Sequence, residues 1–313
     1  MSLKDNSSKD IEIPPIAVVM ATYNGAQFLE EQIESILAQT LLPSLFIVYD
    51  DCSTDDTYLI LQKYQVKGQL ICYQNETRLG LVANFKQGIS QVPTGYYFAL
   101  SDQDDVWHAD KLEKCMEVMK KIENPSKPCL VYSDLNFMDA KGKLINSSFR
   151  NELGHDKYTH DLDTLLFGNF VLGCTSLCNE SMKLHIKTMP IKSSFNHDAW
   201  MAMLAYVLGE AHSINEPLMS YRQHDKNMTI SMHQKVRRLR RYWQHVKLLF
   251  INNNYLMERF ILVRLFFETY QHELSAADQK KLTQFLALEN HSYVFKKLAF
   301  EKAFFGKWIN RFK

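Results

Sequence analysis

Three carboxylates lie close together in the tract Ser-Asp-Gln-Asp-Asp-Val-Trp at residues 101–107, which follows an apolar, strand-like run at 96–100. They are Asp102, Asp104 and Asp105. Hard divalent cations such as Mg²⁺ or Mn²⁺ take oxygen ligands, usually one or two protein carboxylates together with substrate phosphates. Alone, the tract is better explained by an acidic turn before a helix that begins near Asp110. A metal-binding role therefore depends on the rest of the chain.

Two earlier apolar runs also end in polar residues. Residues 16–25 predict a buried parallel strand that ends in a small polar turn with a glycine. A helical pattern at 28–37 leads to a second predicted strand at 44–49, which is followed by Asp50 and Asp51. Neither of these two aspartates has an obvious structural explanation.

The residues after Asp51 predict the start of a helix. Ser53 or Thr54 is the expected N-cap, and the first-turn amides and the helix dipole favour carboxylates at Asp55 and Asp56. These two carboxylates are therefore given a structural role only.

The elements that must position the acidic tract form an alternating series. A strand-like piece at 70–73 and a helical pattern through Phe85 and Ile89 lead back to the run at 96–100. Strands and helices at this spacing predict an α/β layer with right-handed crossovers. In open sheets of this kind ligands bind beyond the carboxyl ends of the strands. The three polar clusters are therefore expected to form one site.

Four motifs at this spacing resemble family 2 glycosyltransferases with the GT-A fold. They are ATYNG at 21–25, DDCSTDDT at 50–57, RLG at 78–80 and SDQDDVW at 101–107. The resemblance covers roughly residues 14–230. It implies a nucleotide-diphosphate sugar donor, Mn²⁺ or Mg²⁺ on the DxD carboxylates, and an inverting displacement at the anomeric carbon. With a later His-Asp and Arg-Gln-His, the DQDD tract also resembles bacterial rhamnosyltransferases and related enzymes of polysaccharide assembly.

The resemblance assigns roles on the donor side. Asp104 is the expected metal ligand, with Asp102 directed to the ribose, the sugar or the metal and Asp105 in support. Asp51 resembles the carboxylate that hydrogen-bonds the base. The other expected donor-binding residues are Ala21, Thr22, Tyr23, Asn24, Asp50, Arg78 and Gln103. Arg78 could bind a phosphate through charge-assisted bonds, although a solvated loop arginine explains it equally well.

An inverting transfer also needs a general base on the opposite face of the sugar. The candidate is Asp198, in a segment that resembles the family's base-bearing His-Asp pair. Because a helix is predicted at 199–208, the alternative is an aspartate that only caps this helix. A last strand at 217–224 ends on His224, which is a candidate to complete a Mn²⁺ shell.

Residues 168–179 resemble the segment that lines the acceptor side in this family. Further residues are predicted to contact the acceptor, namely Trp107, Gly173, Cys174, Thr175, His197 and Trp200. Cys174 and Cys178 lack a matching Cys or His pair nearby, so a zinc site is not expected. All six cysteines are expected to be buried, reduced thiols.

Composition agrees with an enzyme of a reducing compartment. The 313 residues are 46% hydrophobic, enough for a full α/β core with an appendage. The polar start of the chain does not resemble a signal peptide, and no apolar stretch reaches the length of a spanning helix. We expect a flexible N-terminus at 1–13 and a catalytic domain at 14–231. Its nucleotide-sugar half is 14–106 and its acceptor half is 107–231.

Positive charge is concentrated in the remaining region, 232–313. It holds 16 Lys and Arg against 6 Asp and Glu, whereas residues 1–231 hold 20 against 29. A basic run at 235–243 is followed by helical patterns, and one apolar stripe contains Val294, Leu298, Phe305, Trp308, Ile309 and Phe312. A basic amphipathic helix of this kind suits an anionic membrane surface. The alternative is that these helices pack on the catalytic domain or form a homo-oligomer. Nucleic-acid binding is not expected, because no recognisable module accompanies the charge.

Two functions of different classes stay open at this point. The first is a metal-dependent inverting glycosyltransferase that acts at the cytoplasmic face of a membrane. It would extend a lipid-linked glycan in bacterial cell-surface polysaccharide synthesis from a donor such as dTDP-rhamnose or a UDP-hexose. The second is a non-catalytic nucleotide-sugar-binding or scaffold protein that retains the fold. The sequence identifies neither the sugar nor the acceptor.

Overall fold

The structure is a computed structural model that describes residues 14–191, 195–224 and 256–309, apart from the side chains of 307–309. Several sequence predictions fall outside the described residues. These are the flexible N-terminus at 1–13, the basic run at 235–243, the stripe positions Trp308, Ile309 and Phe312, and the end of the catalytic segment at 225–231.

Four parallel strands form the first half of the sheet, in the order β3-β2-β1-β4. Their bounds are β1 Ile16–Thr22, β2 Leu45–Asp50, β3 Ile71–Gln74 and β4 Tyr97–Ser101, and the helices between them are α1 Leu29–Leu37, α2 Thr57–Val66 and α3 Leu81–Ser90. Every residue of β1 is buried, as the continuous apolar run predicts. The predicted strands and helices of this half are confirmed.

The second half of the sheet is mixed. It contains β5 Val106–Trp107, β6 Cys129–Asp139, β7 Leu144–Asn146, β8 Ser176–Cys178 and β9 Glu210–Gln223, with helices α4 Lys111–Ile122, α5 Phe149–Leu153, α6 Leu162–Leu165, α7 Glu180–Ile186 and α8 His197–Met203. Strand β8 pairs antiparallel with both β4 and β6, while β6 and β9 run parallel. Among the described residues all nine strands belong to one sheet.

Strand register brings the acidic turns together. Thr22 pairs with Asp50, and Met20 pairs with Ser101, so three strands end at the same edge. The residues that follow these ends, including the 101–107 tract, therefore face one region, as the sequence predicts.

Three local predictions are wrong. Helix α2 begins at Thr57 after Asp56, so neither Ser53 nor Thr54 caps it, and the Ser53 hydroxyl instead donates to Asp50 at 2.5 Å. Helix α8 begins at His197 rather than after Asp198 and continues into a π-helical turn at Leu204–Leu208. The last strand is longer than predicted, because the polar residues before 217 also pair with β6.

The C-terminal helices are α9 Met257–Tyr270, α10 Ala276–Ala287 and α11 Tyr293–Ile309. Helix α9 buries Phe260 and Phe266 in the same apolar core as β1 and β4, and the Phe266 ring meets Trp200 edge-on at 5.4 Å. Helix α9 therefore packs on the rest of the chain. None of the helices in the described part of the chain is long and apolar enough to cross a bilayer.

Helix α11 packs differently from α9. Phe300 and Phe304 contact Phe167 and Tyr158, at ring distances of 6.1 and 4.4 Å. The predicted stripe lies on the other side of this helix, where Val294, Leu298 and Phe305 are exposed together with Phe295.

Candidate functional site

A cavity of about 470 Å³ lies at the edge where β1, β2 and β4 end. Its lining includes the predicted residues Ala21, Thr22, Tyr23, Asn24, Asp51, Arg78, Asp102, Gln103, Asp104 and His224. Other lining residues were not predicted from the sequence, among them Phe28, at the start of α1, and Tyr221. A larger, open depression between α1 and α2 contains none of the predicted site residues.

Tyr23 and Gln103 join the first and last strand ends of the cavity. The Gln103 amide accepts from the Tyr23 N–H at 2.8 Å and donates to the Tyr23 carbonyl at 3.0 Å. The Arg78 guanidinium lies 3.9 Å from the centre of the Tyr23 ring, a cation–π contact that brings a positive charge into the cavity. Arg78 therefore lines the cavity while its side chain stays exposed, and phosphate binding by it stays a prediction.

Asp51 shapes the wall beside Arg78. Its carboxylate accepts from the Leu79 and Gly80 N–H groups at 2.7 and 2.8 Å and from the Asn75 amide at 3.0 Å. These bonds hold the RLG loop against the end of β2. Asp51 also lines the cavity. A contact with a nucleobase stays a prediction.

Asp50 is not part of the cavity lining. Its fully buried carboxylate accepts from the hydroxyls of Thr22 and Ser53, at 2.9 and 2.5 Å, and from the Gln74 amide at 3.1 Å. The prediction that Asp50 contacts the donor is corrected on this geometry, because the carboxylate ties together three backbone segments behind the site.

Two residues next to these carboxylates adopt left-handed backbone conformations. They are Asn24, with φ of 49°, and Cys52, with φ of 63°. Asparagine tolerates this region, whereas cysteine does so at a cost.

Arg222 holds the acidic turn from β9, and the sequence analysis gave it no role. Its backbone N–H donates to Asp105 at 3.1 Å, its Nε donates to the Asp104 carbonyl at 2.9 Å, and its Nη2 lies 2.6 Å from Glu31. The side chain is almost fully buried. The only signal in the sequence was its position within the Arg-Gln-His segment.

Lys111 is a second buried cation that the sequence analysis missed. Its ammonium donates to the Cys174 carbonyl and lies 3.4 Å from the centre of the Trp107 ring. Burial lowers the pKa of Lys111 to about 8, and nearby acidic groups, including Asp105 and Asp102, oppose this shift. A positive charge thus lies beneath the carboxylates.

The donor atoms around Asp104 fit a divalent cation. Asp104 Oδ2 lies 2.8 Å from His224 Nε2, and both side chains are partly exposed to the cavity. Burial and the charges of Asp104 and Asp198 raise the pKa of Asp102 to about 7. A cation would relieve this repulsion.

Asp102, Asp105 and Cys174 also bring ligand atoms within 4.8 Å of one another. However, Asp105 is already bound by Arg222, and Lys111 supplies positive charge there.

Asp198 lies in the first turn of α8, beside the turn Gly173–Thr175. A Cβ built on Gly173 would be 3.6 Å from Asp198 Cβ and 2.6 Å from His197 Nε2, so this turn has room for glycine only. Burial raises the pKa of Asp198 to about 6, against the opposing effects of the Ala199 N–H and the Arg259 guanidinium. A carboxylate with this pKa can accept a proton near neutral pH.

Most of the predicted acceptor-side residues are buried around the site rather than exposed in it. Trp107 packs in the core on Lys111, and Trp200 stacks on Phe195 at 5.9 Å with its Nε1 unpaired among the described residues. His197, Cys174 and Thr175 are also buried. Direct acceptor contacts from the two tryptophans are therefore corrected to packing roles. All six cysteines are free, as expected, but Cys52 is only half-buried, so the prediction of a buried thiol is wrong at that position.

Comparison with known proteins agrees with this geometry. Residues 17–167 match the sequence model of glycosyl transferase family 2. The chain is similar to this family over that segment, which is just under half of its length. An uncharacterized glycosyltransferase of Rickettsia typhi is 27% identical over 219 residues, which cover 69% of this chain and 66% of the relative. A second, from Rickettsia prowazekii, is 28% identical over 195 residues, or 61% and 59%. The chain thus spans about two thirds or less of the length of these two relatives.

A further relative is the dTDP-rhamnosyl transferase RfbG of Shigella flexneri, 27% identical over 235 residues, which cover 70% of this chain and 78% of RfbG. Among solved structures, S. aureus TarS 1-349 in complex with UDP-GlcNAc is 16% identical with a TM-score of 0.54, covering 93% of this chain and 81% of that one. The mannosyltransferase PcManGT from Pyrobaculum calidifontis, in complex with GDP-Man and Mn²⁺, is 15% identical with a TM-score of 0.52, covering 88% and 74%. At these identities the likeness shows the fold, and the predicted GT-A architecture is confirmed.

Proposed function

We propose that this chain is a metal-dependent inverting glycosyltransferase. It takes a sugar from a nucleotide-diphosphate donor and transfers it to a glycan acceptor, lipid-linked, in the synthesis of a bacterial cell-surface polysaccharide. The observation that carries the proposal is the convergence of carboxylates from separate elements. Asp51, Asp102 and Asp104 line one cavity, and Asp198 is close enough for its charge to raise the pKa of Asp102.

The proposed chemistry divides the site into two sides. Asp102, Asp104 and His224 would hold the cation, which when bound neutralises charge on the leaving diphosphate. Asp198 accepts the proton of the acceptor hydroxyl as its oxygen attacks the anomeric carbon. The bond from that carbon to the diphosphate oxygen breaks, and the nucleoside diphosphate leaves with the electron pair. Gln103, Asp51 and Arg78 orient the donor.

The donor itself is best identified by a binding screen. The names of the relatives and structural neighbours mention a dTDP-rhamnosyl transferase, UDP-GlcNAc and GDP-Man. Similarity alone therefore does not identify the nucleobase of the donor. We expect one base class among UDP, dTDP and GDP sugars to raise the melting temperature, and to do so only with Mn²⁺ or Mg²⁺ present. The finer proposal is dTDP-rhamnose or a UDP-hexose.

The screen also addresses the alternative, a non-catalytic binding protein. A metal-dependent shift accompanied by release of the nucleoside diphosphate with a matched acceptor supports the enzyme. Binding of a sugar nucleotide without release from any donor would favour the scaffold. The presence of a candidate base with a pKa near 6, which binding alone does not require, favours the enzyme.

A membrane-docking role for α11 is the second part of the proposal. Its exposed side combines Val294, Phe295, Leu298 and Phe305. The helix also carries Lys302, which is exposed, and Lys297, which pairs with Glu301 at 2.8 Å, whereas Lys296 is buried. Apolar side chains with flanking lysines suit an anionic bilayer surface. Docking through this face would bring a lipid-linked acceptor to the enzyme.

The substitution Leu298→Glu is expected to weaken membrane binding by about tenfold, because it removes an inserted apolar side chain and adds a repelled charge. The measurement is flotation with vesicles of phosphatidylglycerol and phosphatidylcholine. Leu59→Glu is the matched control, since Leu298 is 59% exposed and Leu59, on α2, is 57% exposed. Equal flotation of the wild type and Leu298→Glu would contradict docking through α11.

A further inference from the structure

Two residues at the end of β9 contact Asp104 from the same side. Arg222 and His224 are two residues apart, a spacing that places side chains on one face of an extended chain. The Arg222 Nε donates to the Asp104 carbonyl at 2.9 Å, while His224 Nε2 lies 2.8 Å from the Asp104 carboxylate. Neighbouring residues of one segment therefore hold both the backbone and the side chain of the proposed metal ligand.

The Arg222 guanidinium also connects this segment to two other parts of the chain. Its Nη2 donates to Glu31 on α1 at 2.6 Å, and its Nη1 donates to the Ala140 carbonyl, in the turn between β6 and β7, at 3.5 Å. It lies over the Phe28 ring, 4.7 Å from the ring centre, and the same ring lies 4.9 Å from the His224 imidazole. A planar guanidinium with bonds in three directions has little freedom to rotate.

Helix α1 is a firm support for the contact with Glu31, because other polar residues of this helix bind the acidic tract directly. The Gln32 side chain is fully buried and lies 2.7 Å from the Ser101 hydroxyl. The Ser35 hydroxyl accepts from the Trp107 N–H at 3.0 Å. Both ends of the tract are therefore attached to α1.

The middle of the tract, at Asp104, is joined to α1 through Arg222 and Glu31. The Arg222 side chain is 2% exposed, whereas that of Glu31 is 57% exposed. A guanidinium that is buried to this extent depends on a carboxylate partner. Hydrogen bonds behind a metal ligand set the direction in which that ligand points.

We propose that Glu31 is a positioning residue for the metal-binding pair of Asp104 and His224, and that it acts through Arg222. By pairing with the guanidinium, Glu31 keeps Arg222 directed at the Asp104 carbonyl, although Glu31 itself does not line the cavity. The inference deepens the proposed function and rests on it, because it takes a divalent cation as the ligand of that pair.

The substitution Glu31→Gln tests this role, because it removes the charge that pairs with Arg222 and nearly keeps the shape of the side chain. Binding of Mn²⁺ alone should weaken about fivefold, measured through the electron paramagnetic resonance signal of the free ion. The Mn²⁺ concentration for half-maximal transfer should rise by a similar factor. The rate at saturating Mn²⁺ should stay within about twofold of the wild-type rate, because the chemical groups of the site are unchanged.

Arg222→Lys tests the connection between Glu31 and Asp104. An ammonium keeps the positive charge but cannot bind Glu31 and the Asp104 carbonyl in the geometry of the guanidinium, so Mn²⁺ binding should weaken about tenfold. The double variant Glu31→Gln/Arg222→Lys should bind Mn²⁺ about as weakly as Arg222→Lys alone, since Glu31 acts through Arg222.

Glu30→Gln is the matched control, since Glu30 is the neighbouring exposed carboxylate of α1 and the substitution removes the same charge. It should bind Mn²⁺ as the wild type does, and an equal loss in this variant would reveal a general charge effect and overturn the inference. Additive losses in the double variant would also overturn it.

Glu31→Gln decides the question if Arg222→Lys does not fold, because Glu31 is at the surface. A lower melting temperature of Glu31→Gln with unchanged Mn²⁺ affinity would show a structural role only and would contradict the inference. Absence of Mn²⁺ binding by the wild type would instead contradict the metal-dependent function on which the inference rests.

Discussion

The substitution Asp198→Asn is expected to lower kcat by about 10²- to 10⁴-fold while donor binding is retained. An amide has nearly the same shape as the carboxylate but cannot accept the proton of the acceptor hydroxyl. Asp198 does not line the donor cavity, so the metal-dependent thermal shift caused by the sugar nucleotide should persist. The measurement is a comparison of initial transfer rates and donor binding for the same protein preparation.

The pH dependence of transfer and of stability also tests the role of Asp198. The base acts in its ionised form, so wild-type activity should fall as the pH falls through about 6. The raised pKa also means that burial disfavours the ionised carboxylate in the folded state, so this group destabilises the protein increasingly as the pH rises from about 4 to above 6. Asp198→Asn removes that effect. Its melting temperature at pH 8 should therefore equal or exceed that of the wild type.

A matched control is Asp163→Asn on α6, where the carboxylate pairs with Lys281 at the surface. It should retain wild-type transfer. Transfer by Asp198→Asn at a rate close to that of the wild type would remove Asp198 as the base. A loss of transfer together with a loss of folding would point to a structural aspartate instead.

The sequence predicts much of the cavity lining because its signals are local. Each apolar run is long enough to mark a buried strand, and Asp51, Asp102 and Asp104 directly follow such runs. Parallel strands place their carboxyl ends at one edge, so position in the chain nearly fixes position in space. The error at Asp50 arises from strand geometry, since successive side chains point to opposite sides and only Asp51 reaches the cavity.

Other parts of the site depend on contacts between distant segments and leave little trace in the sequence. Arg222 binds the acidic turn although the two are more than one hundred residues apart in the sequence. Lys111 has the sequence context of any lysine in the first turn of a helix. The packing of α9 against α8 is likewise a contact between segments that are distant in the chain. The burial of Trp107 and Trp200 has the same origin, since aromatic residues next to a motif serve a core or a binding surface equally well.

The substitution Asp104→Asn should abolish both the response to the cation and the transfer reaction, with activity reduced by about 10²- to 10⁴-fold. Asp104 Oδ2 and His224 Nε2 lie 2.8 Å apart at the cavity surface, so an amide at this position removes one anionic ligand from the pair. The nucleotide-dependent thermal shift in Mn²⁺ should disappear, in contrast to its retention in Asp198→Asn. Calorimetric titration of Mn²⁺ with the nucleoside diphosphate present measures the same loss directly.

Asp110→Asn provides the control for charge, because Asp110 is close in sequence and pairs with Lys114 at the surface at 2.7 Å. Both substitutions remove one negative charge, but only the one at Asp104 removes it from the cavity. If Asp104→Asn retains ion-dependent donor binding, the cation is held by other residues, and the cluster of Asp102, Asp105 and Cys174 becomes the alternative. Because Lys111 already supplies positive charge beneath that cluster, a cation there would face repulsion that Asp104 and His224 do not impose.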